Sequence, residues 1–183
     1  YRLAYLVEHG VDPGAILLLT FTRKASREML TRAVHLLNQP LGQVVGGTFH
    51  GICYLWLRQY GERLGYPRGF TVMDRADQGD LLNLLKERLG FKKLSGPFPR
   101  KETMAEILGA VVNKDLSLDF LLTRDYPQFL DQRDHLAKMA AAYQDEKRRH
   151  ALLDYDDLLL EGRRLLIEHE DVRRRLSSRF RYL

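Results

Sequence analysis

Two short apolar segments near the start of the chain are separated by an amphipathic one. Residues 15–20 are apolar up to the final Thr20, a pattern typical of a strand that is buried on both faces. In residues 23–37 the apolar positions follow the helical period, and Asn38-Gln39-Pro40 marks the end of that helix. A second short strand is predicted at residues 44–49. The order strand, helix, strand predicts a parallel βαβ unit.

Most of the remaining chain has the pattern of helices connected by loops. Asp74, with Asp77 three residues later, predicts the start of a leucine-rich helix, and Asp154 predicts the start of another. The other predicted elements are helices at residues 1–9, 51–64, 102–113, 118–122 and 131–149, an extended piece at 70–73, and the beginning of a strand at 180–183. The sequence therefore predicts an α/β fold that is predominantly helical.

The composition excludes several classes of protein. The chain has 183 residues, of which 45% are hydrophobic and 29% charged, so disorder is not the main interpretation. No uncharged apolar run approaches the ~20 residues that cross a bilayer. Cys53 is the only cysteine, which excludes a disulfide framework and a cysteine-rich zinc site. We expect a cytoplasmic protein in a reducing compartment that neither spans a membrane nor is secreted.

The charge distribution points to a local binding surface for anions. The net charge of +5 permits a polyanionic partner but does not require one. Residues 58–101 carry ten basic and five acidic side chains, whereas residues 102–140 carry four and seven. Any nucleic-acid surface should therefore be confined to part of the chain. The loop predicted at residues 91–101 is one candidate, since it contains Lys92, Lys93, Arg100 and Lys101.

Polar and aromatic residues follow both predicted strands. Thr20-Phe21-Thr22-Arg23-Lys24 comes where the first strand ends and a helix begins, which is where open α/β sheets bind ligands. Thr48-Phe49-His50 repeats the arrangement after the second strand. Hydroxyl and N–H groups there can hold a phosphate, and a phenylalanine ring can stack on a base. In the alternative interpretation Thr22 only caps its helix, Phe21 is a core residue and His50 is a helix-cap histidine.

Three carboxylates occur within four positions at Asp154, Asp156 and Asp157. A metal site is one interpretation, but Asp154 as an N-cap, with the other two near the positive end of a helix, needs no metal. We favour the structural interpretation and predict no metal. The sequence contains no Walker A, Gly-x-Gly-x-x-Gly, His-Glu-x-x-His or Gly-x-Ser-x-Gly pattern. No catalytic residue is therefore predicted within it.

At these positions the sequence resembles the UvrD/Rep/PcrA-type superfamily 1A DNA helicases. ILLLTFTRKASREML at residues 16–30 resembles motif Ia, and GTFH at 47–50 resembles the next sequence block of the family. FTVMDRADQ at 70–78, LDYDDLL at 153–159 and the terminal FRYL follow in the family's order. Five blocks in the right order are far more specific than any one of them.

The resemblance implies a partial RecA-like parallel sheet of the P-loop NTPase type. Residues 1–64 and 152–183 would belong to domain 1A, and residues 65–151 to an inserted all-α subdomain 1B. The phosphate-binding loop with its lysine would precede this chain, and the Walker B carboxylates would follow it. ATP and Mg²⁺ are therefore expected as cofactors of the parent chain, and the fragment alone is expected to be inactive. Two positions depart from the family pattern: Arg23, where Asn is frequent, and Gly51, where Ser is frequent.

The resemblance also implies roles for particular residues in an ATP-dependent helicase that moves 3′ to 5′ along single-stranded DNA and acts in DNA repair. Phe21 would pack against bases, and Thr22 and Arg23 would lie where the DNA backbone is held. Thr48 and His50 would belong to a second contact block. Duplex contacts near the junction would come from Lys92, Lys93, Arg100 and Lys101. The implied partners are DNA and the remaining helicase domains of the parent chain.

Two alternatives stay open. One is a helicase–nuclease of the AddA or RecB kind, and the other is a stand-alone nucleic-acid-binding module without motor activity. The sequence on either side of this chain would separate them, because a motor needs Gly-Lys-Thr upstream and Asp-Glu downstream.

Overall fold

The computed structural model describes residues 1–94 and 96–183, and of Lys93 only the backbone. The chain divides into two compact units. Unit 1 consists of Tyr1–Arg68 and Leu158–Leu183, and unit 2 consists of Gly69–Asp157. The identity of residues 65–151 as an inserted subdomain stays a prediction. Among the helices that the structure describes, none combines the length and the apolar character needed to cross a membrane.

Helices account for most of the described chain. The helices are α1 (Arg2–Glu8), α2 (Arg23–Leu37), α3 (Phe49–Tyr60), α4 (Arg75–Arg88), α5 (Lys101–Asn113), α6 (Leu118–Asp125), α7 (Arg133–Arg149), α8 (Tyr155–Glu168) and α9 (Glu170–Arg179). The strands are β1 (Leu17–Thr20), β2 (Val45–Thr48), β3 (Thr71–Val72) and β4 (Leu152–Leu153). Short 3-10 turns lie at Pro13–Ala15, Gly61–Leu64, Phe91–Lys93 and Pro127–Gln132.

Unit 1 contains the predicted βαβ arrangement. Strands β1 and β2 pair in parallel, in a register that runs from Leu17 opposite Val45 to Thr20 opposite Thr48, and α2 connects them. On the other side of β1 the chain returns at Tyr182. The Leu17 N–H donates to the Tyr182 carbonyl at 2.9 Å, and the Tyr182 N–H donates to the Ala15 carbonyl at 3.1 Å. The parallel βαβ prediction is therefore confirmed, and the predicted terminal strand is present as a single bridge.

Two threonines begin the helices that follow these strands. The Thr22 hydroxyl accepts from the Ala25 N–H at 3.1 Å, and the Thr48 hydroxyl accepts from the Gly51 N–H at 3.1 Å. Each hydroxyl thus satisfies a backbone donor that has no partner within its helix. Because Thr48 is the cap, α3 begins two residues before the predicted position, and β2 ends one residue earlier than expected.

The core of unit 2 is made by side chains from α4 to α7. Those that are completely or almost completely buried include Leu82, Leu85, Met104, Ile107, Leu121, Leu122, Leu136 and Met139. The leucine-rich helix starts as predicted, because Asp74 and Asp77 form a reciprocal capping box. The periodicity of these segments produces one inward face on each helix.

Unit 2 is not all-α. The predicted extended piece forms β3, which pairs in parallel with β4, so that Thr71 lies opposite Leu152 and Val72 opposite Leu153. The sequence did not predict β4, since two residues are too few for an alternation pattern. The Thr71 N–H donates to the Ala151 carbonyl at 2.9 Å, and the Met73 N–H donates to the Leu153 carbonyl at 2.8 Å. These hydrogen bonds connect residues that are about eighty positions apart along the sequence.

A close approach between α3 and α8 gives the first testable prediction. A Cβ atom added at Gly162 would lie 2.7 Å from Cys53 Sγ and 3.0 Å from Cys53 Cβ. We expect Gly162→Ala to lower the free energy of unfolding by about 1–3 kcal/mol through overpacking, reduced by the better helix propensity of alanine. Urea denaturation would measure this loss.

Two further variants test the cause of that loss. The same change in a Cys53→Ala background should cost less, because the nearest atom, Sγ, is gone. Gly69→Ala should be close to neutral, since no heavy atom lies within 4 Å of the place that its Cβ would take. An equal loss in the presence and absence of Cys53 Sγ would contradict the steric explanation.

Candidate functional site

The carboxyl ends of β1 and β2 bring two phenylalanines together. Since Thr20 and Thr48 face each other in the parallel register, the residues that follow them emerge side by side. The ring centroids of Phe21 and Phe49 are 5.5 Å apart, and the ring planes are inclined at 42°. Phe21 is 90% exposed and Phe49 is 40% exposed. This geometry is within the range of favourable aromatic pairs.

The two rings form one wall of a small concave surface, which we call the aromatic cup. Its lining residues are Thr20, Phe21, Phe49, His50 and Leu159, and its volume is about 290 Å³. The lining is mostly apolar, with the Thr20 and His50 side chains as its polar groups. An apolar concave surface with a few polar groups is the usual form of a ligand site.

Phe21 is not a core residue. The chain leaves the sheet at Thr20, whose hydroxyl donates to the Thr22 carbonyl at 2.9 Å and lies 3.4 Å from the Gly47 carbonyl. These contacts direct the backbone outward, so that the next ring projects into solvent. The ring is therefore accessible to a ligand, and the alternative in which Phe21 is a core residue is wrong.

The polar residues of the two junctions have different roles in the fold. The hydroxyls of Thr22 and Thr48 are engaged as helix caps, as the structural interpretation of Thr22 required. Arg23, in the first turn of α2, is exposed and has no ion-pair partner among the described residues. His50 is half-buried in the first turn of α3 and lines the aromatic cup. Arg23 follows the cup residue Phe21 by two positions, and the N-termini of α2 and α3 lie directly after the strand ends that carry the two rings.

Two residues of the aromatic cup were not predicted as site residues. Phe49 lies between Thr48 and His50, so its position directly after the strand could have indicated it. Leu159 comes from α8, far along the chain, and only the folded structure brings it to the cup. Its position within α8 does not distinguish it from the neighbouring leucines.

The basic loop predicted to contact duplex DNA is partly neutralised. Lys92 forms an ion pair with Glu87, and Lys101 Nζ donates to Asp80 at 2.8 Å. Arg100 is exposed and has no partner among the described side chains. The side chain of Lys93 lies outside the described part of the chain. These four residues therefore do not form one open cationic patch in the part that the structure describes.

The predicted carboxylate cluster surrounds a buried lysine. Lys147 Nζ donates to Asp154 at 2.8 Å and to both oxygens of Asp157 at 2.8 and 2.7 Å. The Tyr143 hydroxyl also donates to Asp154, at 2.9 Å. Asp156 lies apart and accepts from Asn113 at 2.9 Å. The ammonium occupies the position between the two carboxylates where a metal cation would bind, which supports the structural interpretation of these aspartates.

The sequence did not identify Lys147 as part of this cluster. It lies on α7 four residues after Tyr143, on the same helical face as the buried Leu136 and Met139. A lysine on a buried helical face is rare unless it is paired with a carboxylate. Its position on that face could therefore have indicated that Lys147 forms a buried ion pair.

One lysine shared by two buried aspartates leaves a net negative charge. Burial and the charge of Asp154 raise the pKa of Asp157 to about 6, although Lys147 opposes the shift. Burial would also raise the pKa of Asp154, but the ammonium and its hydrogen bonds hold that pKa below its ordinary value. Because the pKa of Asp157 is raised from 3.8, the folded state binds the extra proton between about pH 4 and 6, and this group makes stability fall as the pH rises through that interval.

Replacing Lys147 by an uncharged residue tests how much its charge stabilises the folded state. We expect Lys147→Met to lower the free energy of unfolding by about 3–5 kcal/mol at pH 7, because two buried carboxylates lose their counter-ion. The loss should shrink at pH 5, where protonation can neutralise one of them. Denaturant unfolding at both pH values would measure it. Lys138→Met on the exposed side of the same helix is the matched control and should be nearly neutral. A loss that is equal at pH 5 and 7 would contradict the electrostatic account.

Comparison with known proteins identifies the family. The sequence matches the UvrD/REP helicase N-terminal domain over residues 1–183. It is 32% identical over 187 residues to the ATP-dependent DNA helicase PcrA of Leuconostoc citreum. It is 30% identical over 188 residues to the PcrA helicases of Staphylococcus epidermidis and Staphylococcus aureus.

These relatives are much longer than this chain. Each comparison covers 100% of the chain but 24% of the relative, so the chain spans about a quarter of the length of the curated proteins it matches. The match over the whole sequence agrees with the mostly helical structure and its small parallel sheets. The chain belongs to the UvrD/REP helicase family, in which it corresponds to the N-terminal domain.

Proposed function

We propose that this chain is part of an ATP-dependent DNA helicase that moves 3′ to 5′, and that the aromatic cup binds single-stranded DNA. The observation that carries the proposal is the exposed Phe21–Phe49 pair at the carboxyl edge of the sheet. The similarity to PcrA helicases supports it. A solvent-exposed pair of rings has little value for folding but is a good surface on which a base can stack.

Each part of the site has a function in this proposal. Phe21 stacks on a base, and Phe49 supports the ring from the side. Arg23 and the first N–H groups of α2 attract the neighbouring phosphate, since they combine a guanidinium with the positive end of a helix. Thr20 links the two strand ends through the Thr22 and Gly47 carbonyls, so both rings keep their positions. This arrangement binds any base, because every base has a π face.

ATP hydrolysis belongs to other parts of the parent protein. The sequence contains neither a Walker A lysine nor a DExxQ box, so its own residues do not hold ATP or Mg²⁺. In the parent, hydrolysis would change the spacing between this site and the second motor domain. The residues of this chain contribute by gripping and releasing the strand.

Unit 2 is assigned in this proposal to subdomain 1B, near the junction of single strand and duplex. Arg100, which is exposed and unpaired among the described residues, is then the strongest of the four proposed duplex contacts. The parent protein would act on cytoplasmic DNA, in repair. Its partners would be the DNA and the other helicase domains.

The role of Phe21 can be tested in the full-length helicase that contains this chain. Phe21→Ala should weaken binding to a dT oligonucleotide by about 1–3 kcal/mol, the usual value of one base–aromatic stack. The melting temperature should hardly change, because the ring is 90% exposed. Fluorescence anisotropy and thermal unfolding would measure the two quantities.

Phe120→Ala is the matched control for Phe21→Ala. Phe120 is also an exposed phenylalanine, 50% accessible, but it lies in unit 2 on α6. It should leave single-strand affinity unchanged. A collapse of the melting temperature in Phe21→Ala, with normal affinity in the fraction that stays folded, would sink the proposed stacking role.

A second test concerns the chain by itself. The isolated 183-residue protein should show no ATPase activity above background, with or without single-stranded DNA. The physical reason is that the phosphate cradle and the Mg²⁺ carboxylates are not among its residues. A phosphate-release assay would check this, and DNA-stimulated turnover by the pure chain would overturn the assignment of its motifs.

A further inference from the structure

A cationic surface lies in unit 1, at the edge of the sheet opposite the aromatic cup. It is an open cleft of about 700 Å³, here called the arginine cleft. Its lining residues include Arg179, Arg181, Ser178, Asp12, Gly42 and Gln43. The cleft runs across the amino ends of β1 and β2 and the returning chain at Tyr182. Ala15 lines the cleft and Thr20 lines the aromatic cup. The two residues are five positions apart, so at ~3.3 Å per strand residue the two surfaces are about 17 Å apart.

The positions of the two arginines follow from local structure. Arg179 is the last residue of α9. Arg181 precedes Tyr182, which packs with the core cluster of Ile16, Ala33, Leu41 and Val44. Because successive side chains of an extended chain point to opposite sides, Arg181 is directed away from that cluster and into the cleft.

The cationic groups of the arginine cleft are not neutralised within the fold. Both arginines are exposed, and neither has an ion-pair partner among the residues that the structure describes. The same holds for Arg175, one turn before Arg179 on α9. By contrast, the nearby Arg174 pairs with Glu170 at 2.6 Å. Guanidinium groups without carboxylate partners are available for an external anion.

Backbone donors add to this surface. The N–H groups of Gly42 and Gln43 donate to no described residue, and both residues are exposed. No heavy atom lies within 4 Å of the position of a Cβ at Gly42, so a ligand can approach the backbone. Such N–H groups beside arginines match the contacts that proteins make to nucleic-acid phosphates.

The chemistry of the arginine cleft favours duplex DNA over single strands. The nearest ring, Phe180, is half-buried, and the Arg179 guanidinium lies 4.9 Å from its centroid. This ring therefore offers a base less stacking surface than Phe21, which is 90% exposed. The exposed guanidinium and backbone N–H groups of the cleft can bind phosphates, which a duplex presents on its outside regardless of sequence. From this geometry we infer that the arginine cleft binds the phosphodiester backbone of duplex DNA, independently of the single-strand site.

The Asp12 carboxylate limits the affinity of this surface. It lies in the same cleft and accepts from the Gly14 N–H at 2.9 Å, which caps the turn at Pro13–Ala15. An asparagine can keep this acceptor while removing the negative charge. Asp12→Asn should therefore strengthen duplex binding, and a gain of this kind cannot result from unfolding.

The test uses the full-length helicase and a blunt duplex of about 20 base pairs, with anisotropy measured over a series of salt concentrations. Arg179→Gln/Arg181→Gln should bind the duplex about tenfold more weakly, or worse, at ~50 mM salt. The slope of log Kd against log salt should fall by about two, since each phosphate contact contributes ~0.9. Arg181→Gln alone should show about half of this change in slope. The Arg181 side chain forms no ion pair or hydrogen bond with the described residues, so this single variant keeps the test valid if the double variant is unstable.

Control variants separate this proposal from the single-strand site. Arg68→Gln removes the same single charge as Arg181→Gln, at a residue of unit 1 that pairs with Glu62, and it should leave the slope unchanged. Phe21→Ala should weaken binding to the dT oligonucleotide and leave the salt slope of duplex binding unchanged. The arginine variants should lower that slope and leave dT binding unchanged. An unchanged duplex slope in the arginine variants would overturn the inference. So would an equal loss of polyglutamate binding, because the surface would then recognise acidic chains in general.

Discussion

The parallel pairing of β1 with β2 is the constraint on which both proposed binding surfaces of unit 1 depend. A parallel pair needs a crossover connection, which here is α2. Parallel pairing also places the carboxyl ends of both strands at one edge of the sheet and their amino ends at the other. Residues that follow the strands therefore meet at one edge, and residues that precede them meet at the other. The aromatic cup and the arginine cleft are the two results of this rule. The level register of Thr20 with Thr48 makes the two phenylalanines neighbours.

The threonines at these strand ends cap helices beside the proposed binding site. A hydroxyl that caps a helix accepts from one of the first N–H groups and so fixes where the helix begins. Cap and ligand-site interpretations of Thr22 and Thr48 are therefore not exclusive. The caps stabilise the helix starts, while the next aromatic residue or cation stays in solvent. Phe21 is exposed because the chain leaves the sheet at Thr20, the residue before it.

Local patterns were sufficient for most elements of this fold but not for its long-range contacts. The strand–helix–strand order, the capping box at Asp74 and the exposure of Phe21 all follow from a few adjacent residues. Strand β4 and the contribution of Leu159 depend on partners far along the chain, and no periodicity records them. Lys147 is intermediate, because its helical face indicated burial but not which carboxylates would receive it. The arginine cleft is lined by three segments that are far apart in the sequence. The net charge of the chain allowed such an anion-binding surface but could not indicate where it lies.

Stability and binding are assigned to different groups in this chain. The charges of Lys147, Asp154 and Asp157 are buried, and each depends on the others, so the loss of one partner leaves an uncompensated charge inside the protein. Phe21, Arg23 and Arg181 are exposed, and the folded state loses little when they change. Such surface groups can vary with the ligand without a cost in folding. The separation is physical: a group that is free to bind DNA cannot already have its partner within the fold.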